Sequence, residues 1–169
     1  MSKAIDNQVL ASIRLVAFDV DGVFTDGRFY LSNEGVESKA FSTHDGYGIR
    51  RLVDAGIHVA VISGRDSAAV EQRMNELGVQ FIVQGCGDKI AAFDEIAAKL
   101  KVDDTETAYV GDDLPDLPLL DKVAVSFAVA NAVSELHQQC DFVTKASGGF
   151  GAVREVCDLL LGARQRESE

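Results

Sequence analysis

Two aspartates separated by one residue, Asp19 and Asp21, follow the apolar run Leu15-Val16-Ala17-Phe18 and lead into Gly22. Such a run reads as a strand buried on both faces, so the residues beyond it emerge at a sheet's carboxyl edge, where open α/β sheets place their chemistry. A single aspartate there is satisfied by capping the turn through an Asx hydrogen bond. Asp26 adds a third carboxylate within the same short loop. Unpaired carboxylates beside a core strand are costly to desolvate, so the group points to a cation. Three later segments carry complementary chemistry: Ser63-Gly64-Arg65, Asp88-Lys89 and Gly111-Asp112-Asp113-Leu114-Pro115-Asp116. Together they offer carboxylates for a metal, a hydroxyl and amides for phosphoryl oxygens, and an ammonium to balance charge. Hard oxygen ligands without Cys or His favour Mg²⁺ over zinc. Taken singly, Ser63 or Asp88 could merely cap a helix and Asp113 could be a turn residue.

The elements that must position these groups alternate. After the first strand, residues 56–63, 80–83, 107–111 and 123–127 read as strands, with a short sixth at 141–144. Between them Val70, Met74 and Leu77 form one helical stripe, Ile90, Phe93, Ala97 and Leu100 another, and Val153, Val156 and Leu160 a third. These stripes read as core. Asp66 or Ser67, Asp88 and Asn131 are the expected N-caps. Strands alternating with helices predict a three-layer, Rossmann-like α/β fold: a parallel sheet with helices on both faces. All four chemical segments then meet at one edge. Residues 27–42 break the rhythm and read as a β-hairpin flap with a polar turn at 32–35. Phe29, Leu31 and Phe41 make it too apolar to stand free, which predicts packing against something, a second subunit included. Residues 163–169 show no apolar period and read as a mobile tail of one 169-residue domain.

Composition excludes several classes. A net charge of −11 argues against nucleic acid or an anionic membrane as partner, but not against a small phosphorylated substrate met by local cations. No apolar run approaches the roughly 20 residues that span a bilayer. The first residues lack a signal-peptide pattern, so a cytoplasmic location is expected. Cys86, Cys140 and Cys157 form no Cys-x-x-Cys pair and read as reduced thiols; His44, His58 and His137 show no metal-ligand spacing, and His58 reads as structural.

The ordered set of Asp19-x-Asp21-Gly22, Ser63, Lys89 and the Gly111-Asp112-Asp113 loop closely resembles the four motifs of the haloacid dehalogenase-like phosphatase superfamily. The resemblance implies Asp19 as nucleophile, forming an aspartyl-phosphate, and Asp21 as general acid and base. It implies Ser63 and nearby amides on the phosphoryl group, and Lys89 neutralising Asp19 and the phosphoryl charge. Mg²⁺ would be held by Asp19, Asp112 and the main-chain carbonyl of Asp21, with Asp113 and Asp116 as outer carboxylates. An aspartate at position 21 fits phosphatases and phosphomutases. The chain leaves little room for a cap domain, so transfer to water is expected and the site should be open in a monomer.

The hairpin, the segment Phe41-Ser42-Thr43-His44-Asp45-Gly46-Tyr47-Gly48-Ile49 and the late Gly148-Gly149-Phe150-Gly151-Ala152-Val153-Arg154-Glu155 narrow this further. They are similar to the capless phosphatases of 3-deoxy-octulosonate-type sugar-acid phosphates. That implies a Mg²⁺-dependent homotetramer whose neighbouring subunits complete each site, in the cytoplasm of Gram-negative bacteria on the route to the lipopolysaccharide inner core. By position, Ser42, Thr43, His44, Asp45 and Gly46, with Arg50, Gly64, Arg65 and Arg73, join Asp21 and Lys89 in holding a phosphorylated 2-keto sugar acid. Arginine suits this ligand because it meets carboxylate or phosphate with two parallel hydrogen bonds. Arg50 and Arg73 read equally as solvated helix positions, and neither His44 nor Arg154 has an evident role. The 148–151 stretch reads as a turning or mobile segment, since it lacks phosphate-loop spacing. Two alternatives remain: a phosphatase for sialic-acid-type sugar 9-phosphates, and a phospho-accepting signalling receiver. In the receiver the aspartate ends the third strand rather than the first.

Overall fold

The computed structural model describes residues 5–168. In chain order the elements are α1 (Asn7–Ser12), β1 (Leu15–Phe18), β2 (Tyr30–Leu31), β3 (Glu37–Ser38), α2 (Thr43–Asp54), β4 (His58–Ile62), α3 (Ala68–Leu77) and β5 (Phe81–Val83). They continue through α4 (Lys89–Leu100), β6 (Thr107–Gly111), α5 (Leu117–Leu120), β7 (Val125–Ala128), α6 (Ser134–Gln139), β8 (Phe142–Val143) and α7 (Ala152–Ser168). Six strands form one parallel sheet in the order β5-β4-β1-β6-β7-β8, and β2-β3 stand apart as an antiparallel hairpin. This is the expected α/β architecture, capless, with a flap after the first strand.

Strand order reverses at β1. The chain winds outward through β4 and β5, then returns to lay β6 on the other side of β1. In register, Phe18 lies between Val61 and Val110, so Asp19, Ser63 and Asp112 leave the sheet side by side. All four residues of β1 are buried, as an apolar strand covered on both faces requires. Phe18, Phe24, Tyr109, Phe93 and Phe127 are the largest side chains in the core.

Several local expectations are corrected. The second strand begins at His58, because Gly56 (φ +74°) turns the chain out of α2. Residues 42–46, expected to hold the substrate, are the N-cap and first turn of α2: the Ser42 hydroxyl accepts from the Asp45 N–H. Asn131 does not cap α6, whose N-cap is Val133; its side chain instead accepts from the Gly148 N–H at 2.8 Å. Short helices α1 and α5 were not legible, being a turn or so long, and Pro118 breaks α5's pattern; α6 was expected, but with its cap two residues early. The segment from 163 onward continues α7 through Ser168 rather than leaving the helix. Ala163 is buried, and Arg164 donates to the carbonyls of Ile13 and Ala55, the C-caps of α1 and α2. A cation at two helix C-termini is favoured by their dipoles. Glu169 lies outside the described residues.

Candidate active site

The carboxyl ends of β1, β4 and β6 open onto a cleft of about 300 Å³ lined by Asp19, Asp21, Ser63, Gly64, Arg65, Lys89, Asp112 and Asp113, among others. It sits at the topological switch point, where the loops after adjacent strands diverge. The Asp19 main chain is held by its N–H to the Val110 carbonyl, and its carboxylate accepts from the Val20 N–H at 2.7 Å. Lys89, the first residue of α4, reaches back over the sheet edge. Its Nζ lies 3.0 Å from Asp19 Oδ2 and 2.8 Å from Asp116 Oδ1.

Asp116 is the anchor of the cluster. Its Oδ1 accepts from Lys89 and from the buried Tyr109 hydroxyl (2.7 Å); its Oδ2 accepts from the N–H groups of Asp112 and Asp113. Ligand oxygens of Asp19, Asp112 and Asp116 fall within 4.8 Å of one another. Asp116 meets four donors on its two oxygens, whereas each Asp19 oxygen meets one, the Val20 N–H or Lys89, so Asp19 and Asp112 keep more acceptor capacity for a cation than Asp116 does.

Their electrostatics agree. Burial and the neighbouring Asp116 charge push the Asp19 carboxyl up to about 6 despite the Lys89 ammonium. Burial with Asp19 and Asp116 pushes Asp112 up to about 8. Burial alone would lower Lys89, but the Asp19 and Asp116 carboxylates outweigh it and hold it above its ordinary value. Crowded anionic oxygens with no soft ligand fit a hard divalent cation.

Glycine shapes the cradle. A Cβ on Gly22 (φ +86°) would come within 1.9 Å of Asp112 Oδ2, so only glycine lets the Asp112 carboxylate approach the Asp19–Asp21 loop. The loop closes on itself through the buried Thr25 hydroxyl, which accepts from the N–H groups of Gly22 and Gly27. From outside, the Gly149 N–H donates to the Val23 carbonyl, and Gly148 packs so closely that a Cβ would meet the Gly22 carbonyl oxygen at 1.7 Å. The 148–151 stretch therefore buttresses the loop.

Of the expected site residues, Asp19, Asp21, Ser63, Gly64, Arg65, Lys89 and Asp112 converge on the cleft. Ser42, Thr43, His44, Asp45, Gly46, Arg50 and Arg73 do not line it. Asp45 is 1% exposed and turned to α7, where Oδ1 accepts from the Arg154 N–H; burial raises its carboxyl, with the Arg154 and Gly151 N–H groups opposing. It is a cap for α7 supplied by α2, and a buried acceptor so placed cannot reach a ligand in the cleft. Gly46 lies under the Arg73 guanidinium, 2.4 Å from where its Cβ would stand. Sequence reasoning missed Tyr109, Thr25 and Lys39. Tyr109 was hidden among apolar strand neighbours; Lys39 carried no pattern to set it apart from a solvated hairpin charge.

Residues 81–155 match the haloacid dehalogenase-like hydrolase family. Over 159 residues the chain is 47% identical to the 3-deoxy-D-manno-octulosonate 8-phosphate phosphatase of Yersinia pestis, covering 94% of this chain and 85% of that protein. This chain belongs to the haloacid dehalogenase-like hydrolases. A crystal structure of the Yersinia pestis phosphatase superposes with a TM-score of 0.93 at 46% identity, covering 96% of this chain and 88% of that one. The same family's Moraxella catarrhalis 3-deoxy-D-manno-octulosonate 8-phosphate phosphatase, solved with magnesium, phosphate and KDO, superposes with a TM-score of 0.92 at 41% identity over 96% of this chain and 93% of that one. The phosphatase relatives thus share the hydrolase fold across nearly the whole of this chain.

Proposed function

We propose that this hydrolase releases phosphate from 3-deoxy-D-manno-octulosonate 8-phosphate through an aspartyl-phosphate, with Mg²⁺, on the route to the lipopolysaccharide inner core. The convergence of Asp19, Asp21, Ser63, Lys89 and Asp112 on one cleft carries this reading. The similarity to phosphatases of that substrate supports it. Asp19 attacks phosphorus in line as the bond to the sugar oxygen breaks, and Asp21 gives that oxygen a proton. Asp21 then takes a proton from water, which attacks the aspartyl-phosphate, releases phosphate and restores Asp19. Ser63 and the adjoining amides hold the phosphoryl oxygens. Lys89, fixed by Asp116, offsets the repulsion between an anionic nucleophile and an anionic substrate. Asp19, Asp112 and the Asp21 carbonyl would hold Mg²⁺, which when bound adds positive charge opposite the phosphoryl oxygens.

One chain supplies only Gly64 and Arg65 of the expected sugar-acid contacts beyond Asp21 and Lys89. Exposed Tyr30, Leu31 and Val36 on the hairpin, with Tyr47 and Phe150, support a homotetramer in which neighbours bring the exposed Thr43, His44 and Arg50 to each cleft. Among the described residues no helix is long and apolar enough to cross a membrane. We infer a cytoplasmic location together with this substrate.

The test is phosphate release with Mg²⁺ from 3-deoxy-D-manno-octulosonate 8-phosphate beside sialic-acid-type 9-phosphates and simple sugar phosphates. Preference for the first is expected. Preference for a 9-phosphate would move the enzyme to another sugar acid, and no release from any would overturn the phosphatase reading.

A further inference from the structure

The Lys39 side chain is 1% exposed, although it sits at the end of an otherwise exposed hairpin. A buried ammonium persists only where it is paired. Lys39 Nζ contacts Asp21 Oδ1 and lies 3.5 Å from Glu37 Oε1. Glu37 Oε2 in turn accepts from Arg65 Nη2 at 2.5 Å, and Arg65 Nε lies 3.8 Å from Asp21 Oδ2. The four side chains close a ring of alternating charge. Two come from the hairpin, Glu37 and Lys39, and two from the sheet edge, Asp21 and Arg65. Burial would raise the Glu37 carboxyl, but Arg65, Ser67 and Lys39 together hold it below its ordinary range. The Arg65 guanidinium also lies 4.1 Å from the centroid of the hairpin's Phe29 ring, which fixes it from the other side.

The two aspartates of the first motif are therefore held differently. Asp19 is fixed by its own loop and by Lys89. The cations on Asp21 include one delivered by the flap. We infer that Lys39 is a positioning residue for proton transfer: the buried ammonium pins one oxygen of Asp21, so that the flap sets where its carboxyl meets the leaving oxygen. This rests on the reading of Asp21 as the general acid. Such a group must stand within about 2.6–3.2 Å of the oxygen it serves. A misplacement of about 1 Å costs on the order of 100-fold in rate.

Leaving groups of different basicity read this directly. The sugar alkoxide needs a proton as it departs, whereas p-nitrophenolate does not. kcat/KM covers only the steps up to departure, so the ratio of the two values isolates the acid, and an inactive fraction of a preparation cancels from it. For Lys39→Met, kcat/KM on 3-deoxy-D-manno-octulosonate 8-phosphate is expected to fall about 10–100-fold more than on p-nitrophenyl phosphate. Lys39→Arg, which keeps a cation there, should hold the wild-type ratio. Equal losses on both substrates in Lys39→Met, or no loss on either, would overturn the inference. Asp21→Asn is the control. If it too leaves the ratio unchanged, the reading of Asp21 as acid falls; if only Lys39→Met leaves it unchanged, the role of Lys39 alone falls.

Discussion

Asp19 and Asp116 are carboxylates near the same ammonium, yet their surroundings make them opposites. Asp116 is buried with four donors on its two oxygens, which satisfies a carboxylate about as fully as a protein can. Asp19 meets fewer donors, and burial beside Asp116 holds its carboxyl up at about 6, a tension that a bound cation would relieve. The two substitutions should therefore separate. Asp19→Asn is expected to remove turnover, by about 10³-fold or more, with thermal unfolding little changed, since a neutral amide suits the site as well as a crowded charge. Asp116→Ala should destabilise by roughly 3 kcal/mol, because Lys89 and the Tyr109 hydroxyl lose their buried acceptor. That is on the order of 6–12 °C in a chain of this size. Thermal melts beside phosphate release check both. Near-normal turnover in Asp19→Asn would remove the nucleophile assignment, and an unshifted melt in Asp116→Ala would remove the anchor.

The elements do their work at the carboxyl edge by pressing on one another's loops. β1 sets the Asp19–Asp21 loop, β6 brings Asp112 against it, and the lead-in to α7 closes over the top through Gly148 and Gly149. Asp45 ties α2 to the first turn of α7, and Arg164 ties the other ends of α1 and α2 to the same helix. Gly148→Ala tests this buttress. Its methyl has no room beside the Gly22 carbonyl, so the lead-in must move by an ångström or more. A loss of about 1–3 kcal/mol is expected, together with a lower kcat as the Asp19 loop shifts. A variant that melts and turns over like the parent would show that the contact is dispensable.

Across the molecule, the carboxylate cluster links stability to pH and to metal. Asp19 and Asp112 are raised to about 6 and about 8 when no cation is bound. Between the ordinary carboxylate value and those values the folded chain keeps protons that the unfolded chain has released, so stability falls as pH rises through that window. Mg²⁺ takes the place of those protons. Its gain in melting temperature should thus be greater near about pH 8.5 than near about pH 5.5. Equal gains, or none, would mean that these carboxylates do not bind it. Assembly acts at the same scale. Tyr30, Leu31 and Val36 are 71%, 65% and 63% exposed, more than a small hairpin carries without covering them. Sedimentation at the mass of four chains is expected, and charge introduced by Leu31→Glu should dissociate it. A parent chain that stays monomeric at micromolar concentration would exclude the tetramer.

The parallel sheet, and the placement of Asp19, Ser63, Lys89 and Asp112 at one of its edges, were legible because each rests on local pattern: buried apolar strands, helical periods and strand-end polar residues. Boundaries such as Gly56 and Asn131 were misplaced, since caps depend on which backbone groups the fold leaves without partners. Residues 163–168 looked featureless because what anchors them, the C-termini of α1 and α2, lies more than a hundred residues away in the chain. The same limit hid the capping role of Asp45, whose partner lies on α7. Tyr109, Thr25 and Lys39 have partners nearer in the chain, but only burial reveals those pairings. Sequence by itself determined which groups reach the sheet edge, because strand period and topology settle that. Only the tertiary structure decided how each charge is compensated, because burial and pairing bring together side chains from distant parts of the chain.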